Sequence, residues 1–392
     1  MVNDSPYAVQ TAARLETHFN GIDYTKVPQE ESCQYLSVTV PEDLSEDEKL
    51  PVMVWFHGGS YRNGGCDASC YNRTLLTKEG RIVCVGINSR LGVLGFVRDR
   101  EGNYANSGIL DIIEGLRWVK SNIAAFGGDE NDITLFGHSS GADSVRSVML
   151  AEGTEDLYNK VILQSDPIGS MEADRSDMDR RILEEMMEMP IDADLDTVRQ
   201  VQTSIISHVV EKNCARHLAF GPHYGVYPLP ERKDHERRLR EIAKDHPMFI
   251  GSTTRESSAY IYPHRKVMFM DRFPLTRWYV EGKLRKPTEE VFVEPIHEFA
   301  KQYASIGGTT YYYRFYWREK HSAVGACHGS ENALLFGTKD LPTSSDLFQE
   351  MTREEVDMIG KDLRAIWTGF AKTGEVACDG IDGLIRIEKL EP

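Results

Sequence analysis

Six short runs rich in β-branched and aromatic residues limit what this 392-residue chain can fold into. They are PVMVWF (51–56), RIVCVGI (81–87), DITLF (132–136), KVILQS (160–165), PMFIG (247–251) and TTYYYRFYW (309–317). The middle runs are apolar at successive positions, not alternate ones. A strand of that kind is buried on both faces, which calls for a central sheet covered by helices on either side. Segment 107–126, SGILDIIEGLRWVKSNIAAF, is the clearest covering helix. Ile109, Ile112, Ile113, Leu116, Val119 and Ile123 form one apolar stripe at three- and four-residue spacing. Asn106 or Ser107 can cap its start, and Gly127 with Gly128 supplies a stop. Strands alternating with helices predict an α/β fold with a largely parallel sheet.

From about residue 167 to 246 the rhythm breaks. This stretch holds EEMMEMP and the charged run ERKDHERRLREIAKDH. The methionines read as helix packing and the charges as a solvated helix face. A long insertion between strands of an α/β enzyme predicts a helical cap over a site. The chain is otherwise read as a single domain over 1–392, with no internal repeat and no linker.

A net charge of −16 leaves no basic surplus to displace counterions, so nucleic acid is not expected as a partner, nor an anionic membrane. No run is long and apolar enough to suggest a membrane span, and MVNDSPYAVQTAARLETHF has no charged-then-apolar leader pattern. Seven cysteines, an odd number, fit reduced thiols in a cytoplasm. Cys66 and Cys70, four apart, could form half a metal site or a local disulfide, but no matching Cys/His pair stands at finger-like spacing, so no metal is expected. No cofactor is expected either. Oligomeric state is not legible.

Gly137, His138, Ser139, Ser140 and Gly141 spell G-x-S-x-G. A serine hydroxyl is a weak nucleophile at neutral pH and needs a base, an acid to orient the base, and donors for the developing oxyanion. DITLF before the motif reads as a strand and ADSVRSVML after it as a helix, the context of a nucleophile elbow. Upstream, strand 51–56 runs into His57, Gly58, Gly59 and Ser60, an HGGG-type loop whose N–H groups donate to an oxyanion in lipases and esterases.

With these two loops on the page, the chain resembles the type-B carboxylesterases, the α/β-hydrolase family that includes the cholinesterases. The matching stretches are FNGIDY (19–24), SCQYLSVTVP (32–41), LPVMVWFHGGSYRNG (50–64), INSRLGVLGF (87–96) and residues 106–145. VILQS (161–165), GSTTRESSAY (251–260), CHGSENALLFG (327–337) and WTGFAKTG (367–374) follow in the family's order. The resemblance implies an α/β-hydrolase fold, with a mostly parallel twisted sheet and helices on both faces. It implies ester hydrolysis through an acyl-enzyme, with Ser139 as nucleophile, Glu256 as triad acid and His328 as base. Oxyanion donors carry over to Gly59 and Ser60, with Gly58 adjacent, and to Ser140. The order Ser…Glu…His is the one α/β-hydrolases use. His264, His297 and His321 also follow Glu256, but none has the flanking motif. The family's adhesion domains, which bind without catalysis, typically lose a triad member. All three are present here.

Departures bear on specificity. Ser60 replaces the third glycine of the loop, tolerable where its φ avoids glycine-only territory. His138 stands where the family has Glu, and the disulfide-closed aromatic loop of cholinesterases has no counterpart, which argues against a choline ester. Arg62 could pair a substrate carboxylate or reach solvent. Tyr61 and Tyr260 are candidate pocket walls. Cys327, beside His328, reads as a packing residue. The chain is short for the family, which predicts a wider, shallower pocket. Amides, thioesters, lactones and carbonates are open to the same machinery, because specificity lies in pocket shape.

Overall fold

The computed structural model describes residues 6–11, 22–45, 47–97, 104–172, 174–187, 189–190, 192–207, 218–261, 267, 269–270, 273–317, 324–337 and 351–392. Nine strands form one sheet: β1 (Leu36–Thr39), β2 (Leu50–Phe56), β3 (Val83–Ile87), β4 (Gly128–His138), β5 (Lys160–Gln164), β6 (Met248–Thr253), β7 (Thr310–Phe315), β8 (Gly380–Ile381) and β9 (Ile385–Leu390). Their order is β1-β3-β2-β4-β5-β6-β7-β9-β8. From β3 to β7 every pairing is parallel, and β1, β9 and β8 pair antiparallel at the two edges.

The strands expected from the six apolar runs are all present, and their double-sided burial has a direct cause. Along β2, Val52, Val54 and Phe56 enter one core, with Ile109, Ile112 and Leu116 of the helix Ser107–Asn122. Met53 and Trp55 enter the other, with Leu363, Trp367 and Phe370 of the helix Arg353–Thr373. Fully burying side chains of this size stabilises by about 1.5–3 kcal/mol each, so both faces hold helices in place.

Three local expectations change. The α-helix ends at Asn122, and a 3₁₀ turn, Ile123–Phe126, carries the chain to Gly127 at φ +75°. Asn106 stands at the helix start, but its side chain makes no capping bond. Its amide instead accepts from His223 N and donates to the carbonyls of His223 and Val226, so a long-range tie outweighs the local one. Within the charged run, Arg238 is buried and not solvated. It donates to the Ala151 carbonyl and pairs with Glu155 at 2.6 Å. The stretch between β5 and β6 includes the helices Ser176–Met187, Leu195–Ile205 and His235–Ile242. Among the described residues no helix is long and apolar enough to cross a membrane.

Register brings the functional loops together. Phe56 lies opposite Gly137, Gly137 opposite Leu163, Leu163 opposite Ile250, and Ile250 opposite Tyr312. The carboxyl ends of β2, β4, β5, β6 and β7 therefore finish in one row, where ligands bind in open α/β sheets.

Candidate active site

Ser139 follows β4 directly and precedes the helix Ser140–Leu150. Its backbone sits at φ +58°, ψ −126°, a region that costs a non-glycine residue on the order of 1–3 kcal/mol. Neighbouring contacts hold it there. Ser139 N donates to the Gln164 carbonyl at 2.8 Å, and its own carbonyl accepts from Ala142 and Asp143. The flanking glycines are sterically required. A Cβ on Gly141 would lie 2.0 Å from the Phe56 carbonyl oxygen, and one on Gly137 2.4 Å from that of Gly141. At the start of the following helix, Ser140 N–H has no intrahelical acceptor and is free to donate.

The loop after β2 lies against this turn. A Cβ on Gly58 would meet the His138 carbonyl at 2.9 Å and Ser139 Cβ at 3.2 Å. His57 Nδ1 donates to the Gly58 carbonyl at 2.8 Å, and the Gly59 carbonyl accepts from Arg62 and Asn63. Among the described residues, Gly59 N–H and Ser60 N–H have no acceptor. Gly59 at φ +123° is confined to glycine, since a Cβ would lie 1.9 Å from the Asn63 carbonyl oxygen. Ser60, at φ +57°, is also in the left-handed region, so the third loop position is strained here. Ser60→Gly is therefore expected to leave turnover within about twofold and to raise stability by up to about 1 kcal/mol, strain relief being partly offset by unfolded-state entropy. Gly59→Ala should lower kcat about a hundredfold or more if the unpartnered Gly59 N–H serves a developing oxyanion, because it displaces that donor. Thermal melts and steady-state kinetics of the two variants check both.

His328 and Glu256 meet across the ends of β6 and β7. Nδ1 of His328 lies 2.5 Å from Oε2 of Glu256, and both side chains are buried. The other carboxylate oxygen of Glu256 accepts from Thr253 N and Ser165 Oγ, each at 2.7 Å. His328 Nε2 is buried and has no partner among the described residues. Three rings surround the imidazole: His138 at 4.4 Å, Phe292 at 5.0 Å and Tyr260 at 5.5 Å between centroids. Burial, and then His328, hold the His138 pKa well below the usual value, so this imidazole is neutral at pH 7. His297 faces Tyr312 and Glu388 instead. His264 and His321 lie outside the described residues.

The remaining candidates separate. Tyr61 is buried, its ring 4.6 Å from Phe96 and its hydroxyl donating to Asp143 at 2.6 Å. Tyr260 is 42 % exposed. Arg62 is half-buried and has no carboxylate partner among the described residues. Burial pushes the Cys327 thiol up, which keeps it an unreactive packing group.

Comparison with known proteins gives the family. The sequence matches the profile of the Carboxylesterase family over residues 3–272 and 280–382. The chain belongs to the carboxylesterase family. A Rhodococcus erythropolis relative, a probable N-octanoylanthranilate hydrolase, is 32% identical over 95% of this chain and 82% of its own. The para-nitrobenzyl esterase of Bacillus subtilis (strain 168) is 27% identical over 92% and 78%. A solved thermophilic para-nitrobenzyl esterase superposes with a TM-score of 0.77 at 25% identity, covering 98% of this chain and 86% of that one. The fold of this carboxylesterase is thus the α/β-hydrolase fold, and its activity is carboxylic ester hydrolysis on small-molecule substrates.

Two groups of this esterase's residues escape a motif reading. Arg146, buried on the helix after Ser139, pairs with Asp143, with Asp166 at 2.9 Å and with Glu172 at 3.1 Å. Tyr61 joins through Asp143, so one ion network ties the loop after β2, the helix after β4 and the loop after β5. Behind Glu256 stands Glu331, fully buried, one turn after His328. Ser165, itself at φ +52°, bridges them, donating to Glu256 and lying 3.5 Å from Glu331 Oε1. Burial, and next the Glu256 charge, push the Glu331 carboxyl up to about 8, so it is neutral at pH 7.

The native state then holds a proton on Glu331 that the unfolded chain releases near the ordinary glutamate value of 4.5. Stability from this group is present below about 4.5 and is lost as pH rises toward about 8. Glu331→Gln keeps the shape without the titration. Its melting temperature should gain on the wild type steadily between pH 5 and 8; a constant offset would count against the raised pKa.

Proposed function

We propose that Ser139, His328 and Glu256 act as a catalytic triad, with Gly59, Ser60 and Ser140 N–H groups as the oxyanion hole and Gly58 giving the loop its close approach. The observation that carries this reading is the strained Ser139 turn pressed against the Gly58–Gly59 loop, beside a buried imidazole held by Glu256 at 2.5 Å. His328 Nε2 takes the hydroxyl proton as Ser139 Oγ attacks the ester carbonyl. Glu256 keeps the remaining ring proton on Nδ1 and stabilises the imidazolium. The backbone donors hold the tetrahedral oxyanion, each worth roughly 3 kcal/mol. His328 then protonates the leaving alcohol, and water repeats the sequence on the acyl-enzyme. His328 Nε2 has no hydrogen-bond partner among the described residues, a looseness common in unliganded sites.

An organophosphate tests the assignment. Mass spectrometry should locate a single adduct on the peptide containing Ser139, with loss of turnover on a short activated ester. An adduct elsewhere, with turnover lost, would reject Ser139 as nucleophile.

Arg62 supports a preference for substrates that carry a carboxylate near the scissile bond. It is a half-buried cation with no carboxylate partner among the described residues, two residues beyond the proposed oxyanion donors, and the Rhodococcus relative is named for an acid-bearing N-acyl compound. Arg62→Ala should lower kcat/KM on acid-bearing esters roughly tenfold to a hundredfold, the range of a charge-assisted bond, and leave neutral esters unchanged. Equal losses on both would reject a carboxylate role. Buried free thiols at Cys33, Cys66, Cys84 and Cys327 support a reducing, cytoplasmic setting.

A further inference from the structure

We infer that the cleft between Arg314 of β7 and Arg386 of β9 is a second binding site, one that takes a compact oxyanion such as a carboxylate or phosphate group. The two strands are antiparallel, and these two arginines lie directly opposite each other. Like charges in that register destabilise a strand pair. Neither guanidinium has a carboxylate within ion-pair distance among the described residues. Glu388, on the same face, stands 4.0 Å from His297 Nε2 instead.

The two arginines line a cavity of about 560 Å³ together with Thr254, Tyr312, Tyr316 and Glu388. The Thr254 hydroxyl is buried there and has no hydrogen-bond partner among the described residues. A buried hydroxyl left unpaired is uncommon and calls for a partner. Two opposed guanidiniums and an orphan hydroxyl are donors converging on one space, the donor set that suits an oxyanion. Ser139, His328 and Glu256 do not line this cavity. Thr254 follows Thr253, whose N–H holds Glu256. The inference does not depend on the triad assignment.

Thermal unfolding and isothermal titration with inorganic phosphate and with succinate test it, with potassium chloride at equal ionic strength as reference. The wild type should show a saturable rise in melting temperature and one binding event with at least one of the two anions; the arm that saturates at lower concentration identifies the source. Arg386→Gln, at an exposed position, should weaken that binding at least tenfold and leave turnover of a short neutral ester unchanged. In buffer free of both anions the same variant should melt at or above the wild type, because the opposed charges are relieved. Arg62→Ala should retain the anion effect. No saturable shift beyond chloride would overturn the inference. So would an equal shift in Arg386→Gln and Arg314→Gln, or loss of the shift in Arg62→Ala alone.

Discussion

Ser139→Ala should lower kcat on a short activated ester by about 10⁴- to 10⁶-fold, with KM within a few-fold of the wild type and an unchanged melting temperature. The variant removes one oxygen and nothing that folds the chain. The strained backbone at this position is held by Gln164, by Ala142 and Asp143, and by the glycines on either side. Alanine meets the same backbone cost as serine. The variant therefore keeps the proposed oxyanion donors and its pocket, and a residual acceleration over water should survive from them alone. It should also show no burst and no organophosphate adduct. Turnover within tenfold of the wild type would remove Ser139 from the mechanism, whatever the motif around it suggests.

What was legible in the sequence follows from which forces are local. The strands could be read because burial on both faces writes itself into adjacent residues, as in Val52, Met53, Val54 and Trp55. The elbow and the glycine loop could be read because backbone sterics demand glycine at Gly59, Gly137 and Gly141. The support behind Glu256 could not. Ser165 and Glu331 come together only once β5, β6 and β7 are neighbours, and nothing near either residue announces a buried carboxyl that keeps its proton. Arg146 likewise reads as one charge on an amphipathic helix until Asp166 arrives from beyond β5. Asn106 shows the same limit from the other side: a good capping residue by local rule, it is taken by His223 and Val226. Arg238 lies in a charged run that predicts a solvated face, yet its guanidinium donates to the carbonyl of Ala151. Local chemistry was visible wherever one residue and its flanks decide it. Chemistry assembled by sheet order was not.

Glu256→Gln should lower kcat about ten-thousandfold, although the side chain keeps its size. The reason lies in the polarity of its partners. All three groups around the carboxylate present hydrogens: Thr253 N–H and Ser165 Oγ–H to one oxygen, and the His328 ring to the other. A glutamine amide has only one acceptor oxygen. If its NH₂ faces His328, Nδ1 must accept, the ring proton moves to Nε2, and the base can no longer take the Ser139 proton. If the NH₂ faces Thr253, two donors meet in a fully buried space, which is destabilising by about 1–3 kcal/mol. The first orientation costs activity; the second leaves the proton on Nδ1 and costs stability instead. Removing the Glu256 charge also withdraws one cause of the raised Glu331 carboxyl, so Glu331 should ionise at lower pH in the variant. Stopped-flow acylation, thermal melts and the pH dependence of stability read these effects separately. A variant that retains a tenth of wild-type turnover would show that His328 is oriented by something other than Glu256.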